Sequence, residues 1–341
     1  MEKIMRIQLF CILVCLGILL TGCEENLDPV WHVVQTGTGS EYMLAYTEVQ
    51  FLDEDHGKLL GNNINPAFSV IKYTNDGGNT WDTNEFQTLR FFGMHFVDIN
   101  KGWIVGGNGR ISNTEDGGDF WYSQDSGTSQ SLNAVFFIDE NTGWAAGNHG
   151  VILHTSNGGN TWSTQNSPVE RSSVYLSGIS FIDHDTGWIV GYDNHVDHAG
   201  SIILHTTDGG ATWTSISGYN HYLNDVHFIT DDIGWAVSHA HPGFPGVVLR
   251  TLNGAADWTA HATNINITMN SVCFTGGFHG WAVGGNANWT GAIIHTTNGG
   301  LDWDYQVQTT DYNLWDCYFT GLNNGWAVGE RGLIMHYYPG P

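Results

Sequence analysis

The chain has 341 residues, with 34 acidic against 10 basic side chains and a formal net charge of −24. A field of that sign repels nucleic acid and anionic headgroups, and leaves cations, basic proteins or neutral glycans as matching partners. Only 13% of the residues are charged, while 45 are Gly and 15 are Trp, which points to many tight turns and aromatic packing.

Residues 1–22 read as an export signal. Lys3 and Arg6 precede an apolar run from Ile7 to Leu20, too short and too near the start for a membrane span. The run ends in Leu20-Thr-Gly-Cys23, which resembles the bacterial lipoprotein signal. That resemblance implies a diacylglyceryl group on the Cys23 thiol. Two or more acyl chains anchor a protein stably, so membrane attachment through Cys23 is expected. The place is then the bacterial cell envelope, at the outer membrane, periplasmic or surface-exposed. Glu24-Glu25 resemble the surface-export signals of some lipoproteins. Without residues 1–22, 8 basic and 33 acidic residues remain, for a net charge of −25. Residues 23–30 are a short tether.

From residue 31 to 338 the chain repeats. Thr-x-Asp/Asn-Gly-Gly-x-x-Trp begins at Thr74, Thr114, Thr155, Thr206 and Thr296, with a Gly-Ala variant at Thr251. Gly-Trp-Ile/Ala-Val/Ala keeps step at Gly102, Gly143, Gly187, Gly234, Gly280 and Gly325, with Gly57-Lys-Leu-Leu as a degenerate first copy. In the unit at 131–165, Leu132–Ile138 alternates as a half-buried strand and Trp144-Ala-Ala makes the second. Val151–Thr155 and Thr161–Gln165 make the third and fourth. Four short strands per unit predict an all-β, seven-bladed β-propeller. The seventh unit stops at Tyr338 without its turn and Trp, and Trp31-His-Val-Val-Gln35 supplies the strand that closes it.

The third residue of the turn is Asp76, Asp116 and Asp208 in three units but Asn157, Asn253 and Asn298 in the others. An amide caps a turn as well as a carboxylate but cannot replace one as nucleophile or anionic ligand, so the turns are framework. Thirteen of the fifteen tryptophans sit at repeat positions and read as core. His154, His205, His295 and His336 share one position with Tyr73, Asn113 and Arg250, which argues for packing. Cys273 and Cys317 stand in corresponding strands of units six and seven, offset by one residue. That offset allows them to face each other across a blade interface, as a disulfide or as separate thiols.

The unit Gly-Trp-Ala-Val-Gly-x-x-Gly-x-Ile-x-x-Thr-x-Asp-Gly-Gly-x-Thr-Trp, nearly intact at 143–162, resembles the photosystem II stability and assembly factor family. The turn is also similar to the Asp-box repeats of sialidases and other glycosidases. The first resemblance implies a non-catalytic propeller that binds partner proteins during assembly of membrane complexes, with arginine-rich surfaces in photosynthetic members. The mature chain has five arginines. The second implies the alternative, a sialidase-like or other glycosidase acting on envelope or extracellular glycans, with a carboxylate pair drawn from Glu48, Asp225 and Asp316.

Departures from the repeat concentrate in the top loops of units four to seven. His195, Asp197, His198, His239 and His241 have the ligand types of a divalent Zn or Ni site, or are solvated loop histidines. Trp289 and Trp315 have no repeat role. Trp315 stands beside Tyr312, Asn313 and Asp316, where other units carry Asn133, Ser177, Asn224 and Asn270. Aromatic faces beside amides and carboxylates suit a sugar or a protein loop, so Trp289, Trp315, Tyr312 and Asp316, with Asp225 and His221 of unit five, form the candidate ligand site. No catalytic residue and no organic cofactor is expected, and the chain is expected to be monomeric.

Overall fold

The structure, a computed structural model, describes residues 29–37, 43–63, 67–169, 171–195, 200–216, 219–239, 246–261, 267–286, 288 and 290–339. The predicted export signal, Cys23, Asp197, His198, His241 and Trp289 lie outside the described residues.

Seven four-stranded antiparallel sheets form the blades of a propeller. The inner strands are Leu44–Phe51, Phe91–Phe96, Leu132–Phe137, Val174–Phe181, Tyr222–Phe228, Thr268–Thr275 and Leu314–Gly321. The N-terminal strand Val30–Gln35 is the outermost strand of blade seven and pairs with Ile334–Tyr338, Trp31 opposite Tyr337. The ring is therefore closed without a fourth C-terminal strand, as the missing seventh turn predicts.

The Gly-Trp dipeptide has a double explanation. A Cβ on Gly187 would lie 2.3 Å from the Phe181 ring of its own blade, and the glycines of the other six copies, Gly57 to Gly325, meet the same obstacle. Only Gly lets that ring lie flat under the second strand. The following Trp turns to the next blade. Trp188 stacks on Phe228 at 3.5 Å and Trp235 on Phe274 at 3.5 Å, and Trp103, Trp144, Trp281 and Trp326 repeat the contact on Phe137, Phe181, Phe319 and Phe51. A second Trp, following the turn, meets the same Phe edge-on, as Trp213 does Phe181 at 89°. Trp31 fills this place for blade seven, edge-on to Phe319 at 83°. Offset-stacked and edge-to-face rings complement the aromatic quadrupole, so each of these Phe rings except Phe96, which meets one indole, Trp121, is held from two sides by two indoles.

The turns behave as caps. Asp76 Oδ1 accepts the Thr80 N–H at 2.9 Å, and Asn157 Oδ1 accepts the Thr161 N–H at 3.0 Å in the same way. Carboxylate and amide are interchangeable here because only an acceptor is required. The strand-three histidines stack on the second-strand Trp of their own blade, His336 on Trp326 at 3.6 Å and His205 on Trp188 at 5.0 Å. Burial pushes His295 and His336 down to about 4, so they pack as neutral rings.

Candidate functional site

Every inner strand carries a β-bulge at one register position, between Tyr46 and Glu48, Phe91 and Gly93, Leu132 and Ala134, and so on to Leu314 and Asp316. A bulge inserts a residue and re-aims its side chain. In blades three to six it reaches the neighbouring blade. Asn133 Nδ2 donates to Leu176 O at 2.8 Å, Ser177 Oγ to Leu223 O at 2.8 Å, Asn224 Nδ2 to Met269 O at 2.8 Å and Asn270 Nδ2 to Leu314 O at 2.7 Å. In blade seven that position is Trp315, 36% exposed, in blade two it is Phe92, and in blade one it is Thr47, whose Oγ1 donates to Leu60 O of its own blade at 3.4 Å. The polar lacing at this position thus runs through blades three to six and gives way to an aromatic side chain in blades seven and two.

The residue after each bulge lines a central cavity of about 460 Å³. Its wall is uneven. Blades two, three and four contribute Gly93, Ala134 and Gly178, whereas blades five, six, seven and one contribute Asp225, Ser271, Asp316 and Glu48. Burial raises all three carboxyls: Asp225 to about 6, Asp316 to about 7, and Glu48 well above its usual range, with Asp316 and Asp225 adding like-charge repulsion to Glu48. Two of the three are also laces. Asp225 accepts the N–H groups of Val226 at 2.7 Å and Val272 of the next blade at 3.0 Å. Asp316 accepts those of Cys317 at 2.8 Å and Val49 of blade one at 2.7 Å. Their oxygens tie blades five to six and seven to one.

At the mouth, the Arg331 guanidinium lies 4.9 Å from the Tyr312 ring centre, and Asn313 O accepts the Glu330 N–H at 3.0 Å. On blades four and five, Tyr175, Tyr192 and Tyr222 form a stack, with centroids 5.2 and 4.8 Å apart. This ladder is not visible in the repeat, because its rings come from three separate strand ends. His221 sits at its foot, its carbonyl accepting Ser201 Oγ at 2.6 Å. His195 and His239 are exposed on the same two blades, and Arg171 lies 3.3 Å from the buried Asp193, whose carboxylate also caps the His195 N–H. Among the described residues no group of three or more His, Cys, Asp or Glu is placed to hold a metal. Trp315, Tyr312 and Asp316 belong to blade seven and His221 and Asp225 to blade five, and of these only Asp225 and Asp316 share the wall of the central cavity. The opposite face also exposes apolar side chains at Leu252, Phe278 and Leu301.

Ring and cavity define a seven-bladed β-propeller with an acidic central channel. The sequence profile of the family described as Photosynthesis system II assembly factor YCF48 matches residues 24–122, 85–163 and 120–265, and the chain belongs to that family. It is 30% identical over 125 residues to the Photosystem II assembly lipoprotein Ycf48 of Synechococcus sp. (strain CC9902), a match spanning 34% of this chain and 34% of that relative. Among solved structures, "YCF48 bound to D1 peptide" superposes with a TM-score of 0.70 at 20% identity, covering 92% of this chain and 99% of that one. YCF48 from Cyanidioschyzon merolae gives 0.69 at 19% identity over 91% and 99%. A GH74 xyloglucanase from Xanthomonas campestris gives 0.56 at 10% identity over 89% and 60%, a likeness of fold alone.

Proposed function

We propose that this chain is a non-catalytic binding propeller that grips a protein segment at the channel mouth, in an assembly or scaffold role, and that a lipid on Cys23 holds it on the envelope membrane. Trp315 carries the reading. It is a large aromatic at a position where four other blades place a polar lace, it is 36% exposed, and the Tyr312–Arg331 pair lies on the same blade. Aromatic and Arg side chains are the usual anchors of protein recognition. The solved structure of YCF48 bound to D1 peptide, and the relative named an assembly lipoprotein, support the same reading. The excess of acid suits a basic or neutral segment.

A glycosidase needs a carboxylate pair free to act on the substrate. Asp225 and Asp316 spend both oxygens on backbone N–H groups, which favours binding over hydrolysis. A glycan seated on Trp315 is the second ligand class the mouth suits. We also propose that His195, Asp197, His198, His239 and His241 can share a divalent ion, which titration calorimetry with Zn²⁺ against His195→Ala/His239→Ala tests.

The test is photo-cross-linking in intact cells from position 315, with position 278 on the opposite face as the comparison. Binding at the mouth yields a discrete protein adduct from 315 that Tyr312→Ala weakens. Adducts from 278 alone, or only polysaccharide adducts from 315, overturn the reading.

A further inference from the structure

Two positions of the inner strand are occupied in a way that only one seam of the ring shares. In blades one and four the residue just before the conserved Phe laces to the next blade: Gln50 Oε1 accepts the Phe96 N–H at 2.8 Å, and Ser180 Oγ accepts the Phe228 N–H at 3.0 Å. In blade six this residue is Cys273. The position before it is Val49, Met94, Val135, Ile179, Val226 and Val272 in blades one to six, and Cys317 in blade seven. The two thiols meet at the seam between blades six and seven, with Sγ 2.9 Å from Sγ. Their other polar contacts are weak, Trp281 O at 3.9 Å from each and Ser271 Oγ at 3.9 Å from Cys317. Both cysteines are buried against protein yet line the central cavity, which gives a small reagent a path to them.

We propose that Cys273 and Cys317 are a reversible redox pair, joined by low-molecular-weight disulfides into a bond that crosses the seam between blades six and seven. One thiolate attacks a sulfur of the small disulfide and expels a thiolate. The second protein thiolate then attacks the mixed disulfide and expels the other small thiol. Two protein S–H bonds and one S–S bond become one protein S–S bond and two small thiols, so protons and electrons balance. A disulfide bond is about 2.05 Å long, so the sulfurs need to close by less than an ångström. Burial holds Cys273 well above the ordinary thiol range, with Cys317, Asp316 and Asp225 adding to it, and the pair therefore exchanges slowly at neutral pH. The bond joins residues 44 positions apart and restricts the unfolded chain accordingly. It also pins Trp315, two residues from Cys317, to blade six. The pair stands independently of the binding role proposed above.

The experiment treats the purified full chain with cystamine under native conditions, quenches with acid, and maps the peptides by mass. The expected product is a single linked pair containing Cys273 and Cys317, lost on addition of dithiothreitol and accompanied by a Tm rise of several degrees. In Cys273→Ser and Cys317→Ser the peptide carrying the other member of the pair gains one cysteamine adduct, and neither variant shows a Tm rise. Separate cysteamine adducts on Cys273 and Cys317 of the wild type, or Cys273 and Cys317 both still fully alkylated after prolonged exposure, overturn the proposal. The wild-type map decides even if a serine variant fails to fold.

Discussion

Lys58 shows how far the frame tolerates a change of chemistry at one residue. It stands where six blades carry the stacking Trp, is 3% exposed, and donates from Nζ to Gly117 O at 2.6 Å. That carbonyl belongs to the turn of blade two, as the Gly158 carbonyl accepting Trp103 Nε1 at 3.1 Å belongs to the turn of blade three. The ammonium also lies 5.2 Å from the centre of the Phe96 ring, the ring an indole would cover. A lysine thus reproduces both the donor and the ring contact of a tryptophan. Burial pushes it down to about 8. The unfolded chain, with an ordinary Lys near 10.4, binds more protons than the folded one from about pH 8 upward. Lys58 therefore makes stability rise with pH across that window. Urea denaturation should show the rise in the wild type and its loss in Lys58→Met; parallel pH curves for the two would refute the assignment. The sequence showed this copy as degenerate. It did not show the substitution of function, because side-chain reach across a seam leaves no periodic mark.

At the level of the element, the repeat was legible and the lacing was not. The seven second strands, the Asp/Asn turns and closure by Trp31 all follow from spacing. The outer-strand glutamines do not. Gln124 Oε1 accepts Trp162 Nε1 at 3.1 Å and Gln165 Oε1 accepts Trp213 Nε1 at 3.0 Å, each three residues after its own Trp. Gln306, at the same spacing, takes two indole donors, Trp281 at 3.0 Å and Trp31 at 2.9 Å. It thereby stands in for the turn carbonyl that blade seven lacks. Gln306→Ala leaves both indoles without their acceptor and should cost about 1–3 kcal/mol, read from chemical denaturation; a change below about 0.5 kcal/mol, the range of ordinary surface substitutions, would mean water replaces it. The Gly-Trp element offers a sharper contrast. Gly187→Ala forces a methyl to 2.3 Å from Phe181, whereas nothing lies within 4 Å of a Cβ at Gly321. Overpacking should cost Gly187→Ala about 1–3 kcal/mol and leave Gly321→Ala near the wild type. Equal losses would refute the ring-clearance account. The candidate site was half legible: Trp315 stood out as an exception to the repeat, while the tyrosine ladder is assembled from three strand ends that no single segment reveals.

For the whole molecule, pH sets two buried populations against each other. His95, His227, His295 and His336 are each pushed by burial to about 4, below the 6.5 of an exposed imidazole. The unfolded chain protonates these rings first as pH falls, so the stability they allow is present above about 6.5 and is lost on the way to 4. The channel carboxylates run the other way. Asp316 at about 7 and Asp225 at about 6 take up protons in the folded state before the unfolded state does. Their buried charge therefore weakens the ring above pH 7, and acidification relieves it. Asp316 responds first, since its transition lies above that of the histidines. Thermal stability at constant ionic strength should climb modestly from pH 8 to about 6.5 and then fall toward pH 4. Asp316→Asn keeps an acceptor for the Val49 N–H while removing the charge. It should raise Tm at pH 8, match the wild type near pH 5, and flatten the climb between them. A variant that loses Tm equally at pH 8 and pH 5 would show that the carboxylate serves the ring through its second hydrogen bond, and that its charge is not what the channel tolerates at a cost.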